Sequence, residues 1–356
     1  MRRLSARQTR MARAAAQGLA GTAGTVADAV RRVVGVQAQD VRAGRLAVRV
    51  RTSGLTAHDV DDAVRTRAVV RTWAMRGTLH MVAADDFFWL GGLLGPYFAA
   101  RGVPRRRQLG LGDDLLDRAA AALETIAMEP VTRGHIVARL ADHGVRLDAR
   151  SQAPAHLLAH AANTGRLCRG PDTATDEPTY VLVREWLGPP PGAHDEDDAL
   201  RMLAERYLRG HGPATAEDLA TWSGLPVTRT RQAFGLLGDR VEHVDAAGRP
   251  AVMLGDGPRP GVPTRLLGHF DAYLLGYRGR DLAVPKAHQR AVQAGGGFVM
   301  PVVLGEGQAV GTWRMTSTKD SIRVAVAGFG GRKLPDICNE TADLGRFLGK
   351  RAVPVA

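Results

Sequence analysis

The chain has 356 residues, of which 45% are hydrophobic and 24% charged, enough for two or three packed units and far from the composition of disordered chains. No apolar run approaches the roughly 20 residues that a bilayer span requires, because Arg, Asp or Gly interrupts every candidate stretch. With 48 basic and 36 acidic residues the formal charge is +12, so the expected partner is anionic, nucleic acid before any other.

The N-terminus opens Met1-Arg2-Arg3-Leu4, and Arg7, Arg10 and Arg13 follow where a signal peptide would place its apolar segment, so export is not expected. Cys168 and Cys338 stand far apart, which indicates neither a disulfide framework nor a zinc site and suits a reducing cytoplasm. Only four basic residues are lysines, Lys286, Lys319, Lys333 and Lys350. The positive field is therefore mostly guanidinium, suited to two-pronged phosphate contacts.

A short pattern occurs three times along the chain: Leu55-Thr56-Ala57-His58-Asp59-Val60, Val131-Thr132-Arg133-Gly134-His135-Ile136 and Ala214-Thr215-Ala216-Glu217-Asp218-Leu219. In each, Thr is placed to cap a helix. The copies are 76 and 83 residues apart, a domain-sized period.

The segments after the three copies are alike. After the first, residues 68–73 and 78–82 flank a turn at Arg76-Gly77. After the second, a helix over 151–167 precedes alternating segments at 166–169 and 179–183. After the third, a helix over 226–237 precedes segments at 241–244 and 251–254 around Asp245-Ala246-Ala247-Gly248. Capped helix, second helix and hairpin in succession is the winged-helix order. Linkers are expected at 188–192 and across the Gly/Pro stretch 255–263. Strands are then expected at 266–275, 298–304, 309–315 and 322–327, with a helix near 334–348.

The fold expected is thus α+β, with three tandem winged-helix units wrapped around a C-terminal antiparallel β unit. The boundaries are 1–103, 104–190, 195–258 and 264–356.

Between two apolar helices stands Val36-Gln37-Ala38-Gln39-Asp40. Amides at i and i+2 sit about 200° apart on a continuous helix but converge in an extended segment. An extended junction here would make Gln37 and Gln39 a polar pair beside an apolar wall. Asp40 reads first as a helix N-terminal residue.

At these residues the sequence resembles the AlkZ-like (YcaQ-type) DNA glycosylases, within the wider group of tandem winged-helix proteins. The segments that carry the resemblance are Val36-Gln37-Ala38-Gln39-Asp40, the string Arg71-Thr72-Trp73-Ala74-Met75-Arg76-Gly77-Thr78-Leu79-His80, the three wings, and Leu267-Gly268-His269-Phe270-Asp271. The resemblance implies a monofunctional enzyme that excises alkylated purines from duplex DNA and leaves an abasic site. Some members unhook interstrand crosslinks and some protect producers of DNA-alkylating antibiotics. The family's catalytic pair, Gln-x-Gln or Gln-x-Asp, maps onto Gln37 and Gln39. With Gln at the second position the pair holds no carboxylate to act as a strong general base. An N7-alkylguanine is already cationic, so a pair of amides that positions water is enough.

Arg76, at the hairpin tip, is assigned to phosphate. Thr72, His80, His269 and Asp271 are placed with it as DNA-contacting residues, although Trp73, Met75 and Leu79 also suit a wing core, and His269 with Asp271, on one side of a strand, suits structural pairing. Gly305-Glu306-Gly307-Gln308 reads as a plain hairpin turn before a groove-entering one. No metal and no cofactor are expected: His80 and His269 lack further ligands, and Gly295-Gly296-Gly297 lacks the context of a phosphate loop. The expected protein is a cytoplasmic, nucleoid-associated monomer with duplex DNA as partner, no obligate protein partner and no membrane. The alternative is a non-catalytic winged-helix regulator, which would normally use dimer symmetry and a ligand domain.

Overall fold

Thr56, Thr132 and Thr215 each begin a helix. In the computed structural model, which describes residues 1–192, 194–255, 261–330 and 334–355, these helices are Ala57–Arg65, Arg133–Asp142 and Ala216–Ser223. Thr56 Oγ1 accepts from Asp59 N at 3.3 Å, Thr132 Oγ1 from His135 N at 3.3 Å and Thr215 Oγ1 from Asp218 N at 3.0 Å. Asp59 and Asp218 complete capping boxes by accepting from Thr56 N and Thr215 N. Short polar side chains satisfy donors that the first helical turn otherwise leaves bare.

The chain divides into two units, Met1–Val60 with Leu200–Ala356, and Asp61–Ala199. In the Asp61–Ala199 unit the strands Leu79–Ala83, Val69–Trp73, Leu167–Arg169, Thr179–Leu182 and Val131–Thr132 are hydrogen-bonded neighbours in that order, all antiparallel. Its core gathers Leu123, Ile136, Leu140, Leu157, Leu158 and Leu167 from the helices Asp113–Ile126, Arg133–Asp142 and Ala153–Asn163 and the neighbouring strand. Leu157, Leu158, Ala161 and Ala162 lie buried on one helix face, the face that the apolar periodicity marks.

The other unit holds two sheets. In the smaller, Val241–Ala246 and Pro250–Leu254 form a hairpin whose turn places Ala247 and Gly248 at φ 57° and 83°, the left-handed pair that a tight two-residue hairpin requires. The N-terminal strand Arg2–Leu4 adds to this hairpin in parallel, a partner separated by most of the chain. The larger sheet runs Arg265–Leu267, Val302–Gly305, Gln308–Ser317, Ser321–Gly328, Arg351–Val355.

Two expectations for this C-terminal region are corrected. The segment 266–275 is not one strand: the strand ends at Leu267, and Asp271 caps a helical turn, Ala272–Leu275, by accepting from Tyr273 N at 2.9 Å. The sheet is also not antiparallel throughout, because Arg351–Val355 pairs in parallel with Ser321–Gly328. The helix Cys338–Leu348 between them returns the chain in the same direction, as a parallel pair requires. That helix starts after Pro335, whose ring disfavours helical backbone at Leu334. Most of the expected linker at 255–263, and Lys333, lie outside the described residues.

Candidate functional site

The segment that carries the two glutamines is shaped from both ends. Thr25 caps the helix Val26–Arg32, accepting from Asp28 N at 3.1 Å. The end of this helix is pressed on Gly210, where an added Cβ would lie 2.1 Å from the Arg32 carbonyl oxygen. The chain leaves through Val34, fully buried at φ 66°. A β-branched residue in the left-handed region costs on the order of 1–3 kcal/mol and persists only where its surroundings impose it. Val36–Gln37 is then extended.

Asp40 ends the segment as the cap of the helix Val41–Arg49, with Oδ1 accepting from Arg42 N at 2.8 Å and Ala43 N at 3.3 Å. Its oxygen is thereby engaged with the helix start, as a helix N-terminal residue should be. Between the extended stretch and this cap the two amides meet: Gln37 Nε2 donates to Gln39 Oε1 at 2.8 Å. Gln37 is 9% exposed and Gln39 is open to solvent. The pair therefore has one member locked into the protein and one that faces outward.

The far end of the same helix is anchored by arginines that sequence reading did not single out. Arg49 donates to Glu340 Oε2 at 2.8 Å and Asp343 Oδ2 at 2.8 Å, and Glu340 also takes Arg265 at 2.6 Å and Leu266 N at 2.8 Å. Arg51 meets Asp271 with two hydrogen bonds, at 2.8 and 2.9 Å, and reaches Gln17 Oε1 and the Ala47 carbonyl. The only local signal was two arginines at i and i+2 among Leu46, Val48 and Val50. An added Cβ at Gly268 would lie 3.0 Å from Leu46 Cβ, so the loop before His269 is seated directly on this helix.

Asp271 is thus a correction to the expected DNA-contacting set. Its carboxylate is 0% exposed and both oxygens are taken by Arg51 and Tyr273 N. His269 is half-buried and hydrogen-bonds through Nδ1 to the Val299 carbonyl at 3.1 Å, in a turn instead of a strand. The turn at Glu306-Gly307 is held from two sides: Arg7, on the helix Ala6–Ala16, pairs with Glu306 at 2.7 Å, and Tyr273 Oη, from the turn Ala272–Leu275, donates to the Gly307 carbonyl at 2.7 Å.

In the Asp61–Ala199 unit the hairpin Val69–Trp73 and Leu79–Ala83 pairs Thr72 opposite His80. Both side chains are buried, at 5% and 2% exposure, which corrects their assignment to direct DNA contact. Burial, then the Arg76 charge, pushes the His80 pKa down to about 3, against the pull of the Thr78 carbonyl at Nδ1. The ring is therefore neutral near pH 7. Arg71 is also structural, gripping Asp172 at 2.6 and 2.8 Å and the Gly170 carbonyl at 2.7 Å. Arg76 alone of this set occupies the tip, half-buried at φ 58° in the turn Met75–Gly77.

Among the described residues no group of three His, Cys, Asp or Glu side chains is placed to hold a metal ion, and no helix is long and apolar enough to cross a membrane.

A family model described as "DNA glycosylase AlkZ-like" matches residues 30–347, a span that includes the glutamine pair and the arginine anchors of its helix. The chain belongs to the AlkZ-like DNA glycosylase family. This membership makes it an enzyme that hydrolyses N-glycosidic bonds. A relative from Streptomyces sahachiroi, described as an interstrand DNA cross-link repair glycosylase, is 31% identical over 93% of both chains. The solved structure of the Streptomyces sahachiroi DNA glycosylase AlkZ is similar with a TM-score of 0.84 at 26% identity, over 99% of both chains.

Proposed function

We propose that this AlkZ-like protein excises N7-alkylated guanine from duplex DNA, with Gln37 and Gln39 as the catalytic pair. The observation that carries the reading is the 2.8 Å hydrogen bond from Gln37 Nε2 to Gln39 Oε1 in a segment fixed at both ends. It orients the Gln39 carbonyl oxygen at the solvent-facing end of the pair, where a second lone pair can accept from water.

The chemistry asks little of such a site. An N7-alkylguanine carries a positive charge, so cleavage of its bond to C1′ releases a neutral base and leaves an oxocarbenium-like sugar. The amide dipoles stabilise that developing cation and hold the water that adds to C1′. The bond to the base breaks, the C1′–O bond forms, and the proton lost by the attacking water passes to solvent. Asp40 has no part as a base in this reading and remains the helix cap, where its Oδ1 accepts from Arg42 N and Ala43 N.

In this reading Arg76 contacts phosphate and His269 contacts DNA. Residues 1–103 are the first of three winged-helix units, followed by 104–190 and 195–258, with 264–356 as the β unit. The protein acts as a monomer. Unhooking of interstrand crosslinks is part of the proposal, supported by the description of the Streptomyces sahachiroi relative. So is a role in resistance to a DNA-alkylating natural product. The test is incubation with a duplex containing N7-methylguanine: alkali-labile abasic sites that accumulate with time support the reading, and an unchanged strand contradicts it.

A further inference from the structure

The most basic run of the chain, Arg101-Gly102-Val103-Pro104-Arg105-Arg106-Arg107-Gln108, holds four arginines and no acid. It forms the last turn of the helix Ala84–Arg101 and the helix Val103–Gln108. Cations at a helix C-terminus are ordinary where they serve its carbonyls, and Arg106 does this. Its side chain is buried and donates to the Ala99 carbonyl at 2.8 Å, over Gly102, where a Cβ would lie 2.6 Å from its Nη1.

The neighbouring arginines do not. Arg105 is exposed, and its guanidinium reaches two neutral amides, Gln108 Oε1 at 3.0 Å and Gln152 Oε1 at 2.8 Å. Arg101 and Arg107 are exposed. Among the described residues none of the four meets a carboxylate within ion-pair distance. By contrast, three of the four arginines that line the groove of about 930 Å³ in the other unit face carboxylates: Arg13 faces Asp218, Arg231 faces Glu217 and Arg249 faces Asp281. The two histidines of the adjoining helix Ala153–Asn163 register the difference. Burial and then Arg105 and Arg106 lower the His156 pKa; burial, Arg106 and Arg166 lower that of His160, against Asp113 and Asp117.

Exposed guanidinium groups on successive turns of one short segment, none with a carboxylate at ion-pair distance among the described residues, suit phosphate oxygens, whose fixed charge supplies the missing partner. We propose that Arg101, Arg105 and Arg107 form a docking surface for the phosphodiester backbone of duplex DNA. The proposal rests on the glycosylase reading for its partner and adds the place of contact.

The test is the salt dependence of binding to an undamaged duplex, for the full-length protein and for Arg101→Gln/Arg107→Gln. Removal of one phosphate-binding guanidinium should flatten the plot of log K against log salt by about 0.9. A slope shallower by about 1–2, with weaker binding at low salt, is expected. Arg249→Gln, whose charge is held by Asp281, should leave the slope as it is. Should the double variant fold poorly, judged by its melting curve, Arg107→Gln alone gives the same reading with a slope shallower by about 0.9. An unchanged slope and affinity would overturn the proposal, as would no binding of duplex by the unmodified protein. Excision of N7-methylguanine at saturating protein is followed alongside. If it is absent while the slope still falls, the glycosylase reading fails and the surface stands.

Discussion

Arg51 and Asp271 face each other in a two-pronged ion pair, 220 residues apart in sequence and both 0% exposed, with hydrogen bonds of 2.8 and 2.9 Å. Because Arg51 also holds the Ala47 carbonyl and Gln17, this pair ties the helix that follows the glutamines to the β unit. Removing one partner leaves a buried charge uncompensated, which costs about 3–5 kcal/mol, whereas replacing both with apolar groups of similar size is often close to neutral. Asp271→Ala should therefore lower stability by that amount in urea unfolding. Arg51→Met/Asp271→Leu should recover most of the loss. Equal stability of Asp271→Ala and the parent would remove the anchoring role.

Asp40 offers a cleaner separation of structure from chemistry. Its cap on the helix Val41–Arg49 is expected to contribute about 1 kcal/mol, lost in Asp40→Ala and kept in Asp40→Asn, since Asn caps equally well. Both stability and excision should survive Asp40→Asn. A large fall in the excision rate of that variant, with its melting temperature unchanged, would make Asp40 a participant in the reaction.

Much of this was legible because it is local. A threonine cap and a hairpin loop are satisfied within four residues, so the caps at Thr56, Thr132 and Thr215 and a hairpin around Asp245-Ala246-Ala247-Gly248 could be read directly, although the turn itself narrows to Ala247-Gly248. Gln37 and Gln39 could be read as a pair because a junction that is not helical lets them meet; Val36–Gln37 is extended, and Gln39 stands in the bend before the Asp40 cap. The partners of Arg49 and Arg51 lie 291 and 220 residues away, and no periodicity announces them. Asp271 looked like a strand residue because its neighbours are apolar, whereas its carboxylate caps a turn and neutralises Arg51. The pairing of Arg2–Leu4 with Val241–Ala246 was hidden for the same reason of distance.

Two buried histidines set an acid limit. Burial drives both His80 and His211 from the ordinary 6.5 down to about 3; the Arg76 charge adds to it at His80, and Arg51 and Arg13 add at His211. The unfolded chain binds these protons below about pH 6.5 while the folded protein does not, so stability falls as pH drops from 6.5 towards 3. Each histidine can contribute up to about 1.4 kcal/mol per pH unit in that window. Thermal unfolding between pH 7 and pH 4 should show the decline, and His211→Gln should make it shallower; an equally steep decline in that variant would contradict the assignment.

The product of excision should be an intact abasic site. Strand cleavage through a Schiff base needs a desolvated amine near C1′, and no lysine precedes Lys286. Lys350 is committed elsewhere, with Nζ donating to Ser317 Oγ at 2.8 Å and the Thr318 carbonyl at 2.6 Å. Borohydride treatment during turnover should trap no covalent complex. A reductant-dependent protein–DNA band would replace water with an amine as the nucleophile.

The catalytic assignment of the glutamine pair is tested most directly by single-turnover excision of N7-methylguanine from a duplex by Gln37→Ala and Gln39→Ala, with duplex affinity measured on the same preparations. In the proposed mechanism phosphate contacts carry the affinity, and the pair acts on the sugar at the moment of bond cleavage. The expected result is a loss of rate of at least about tenfold in each variant with duplex affinity nearly unchanged, equivalent to about 1.4 kcal/mol or more of transition-state stabilisation. Excision by both variants at the parent rate would contradict it.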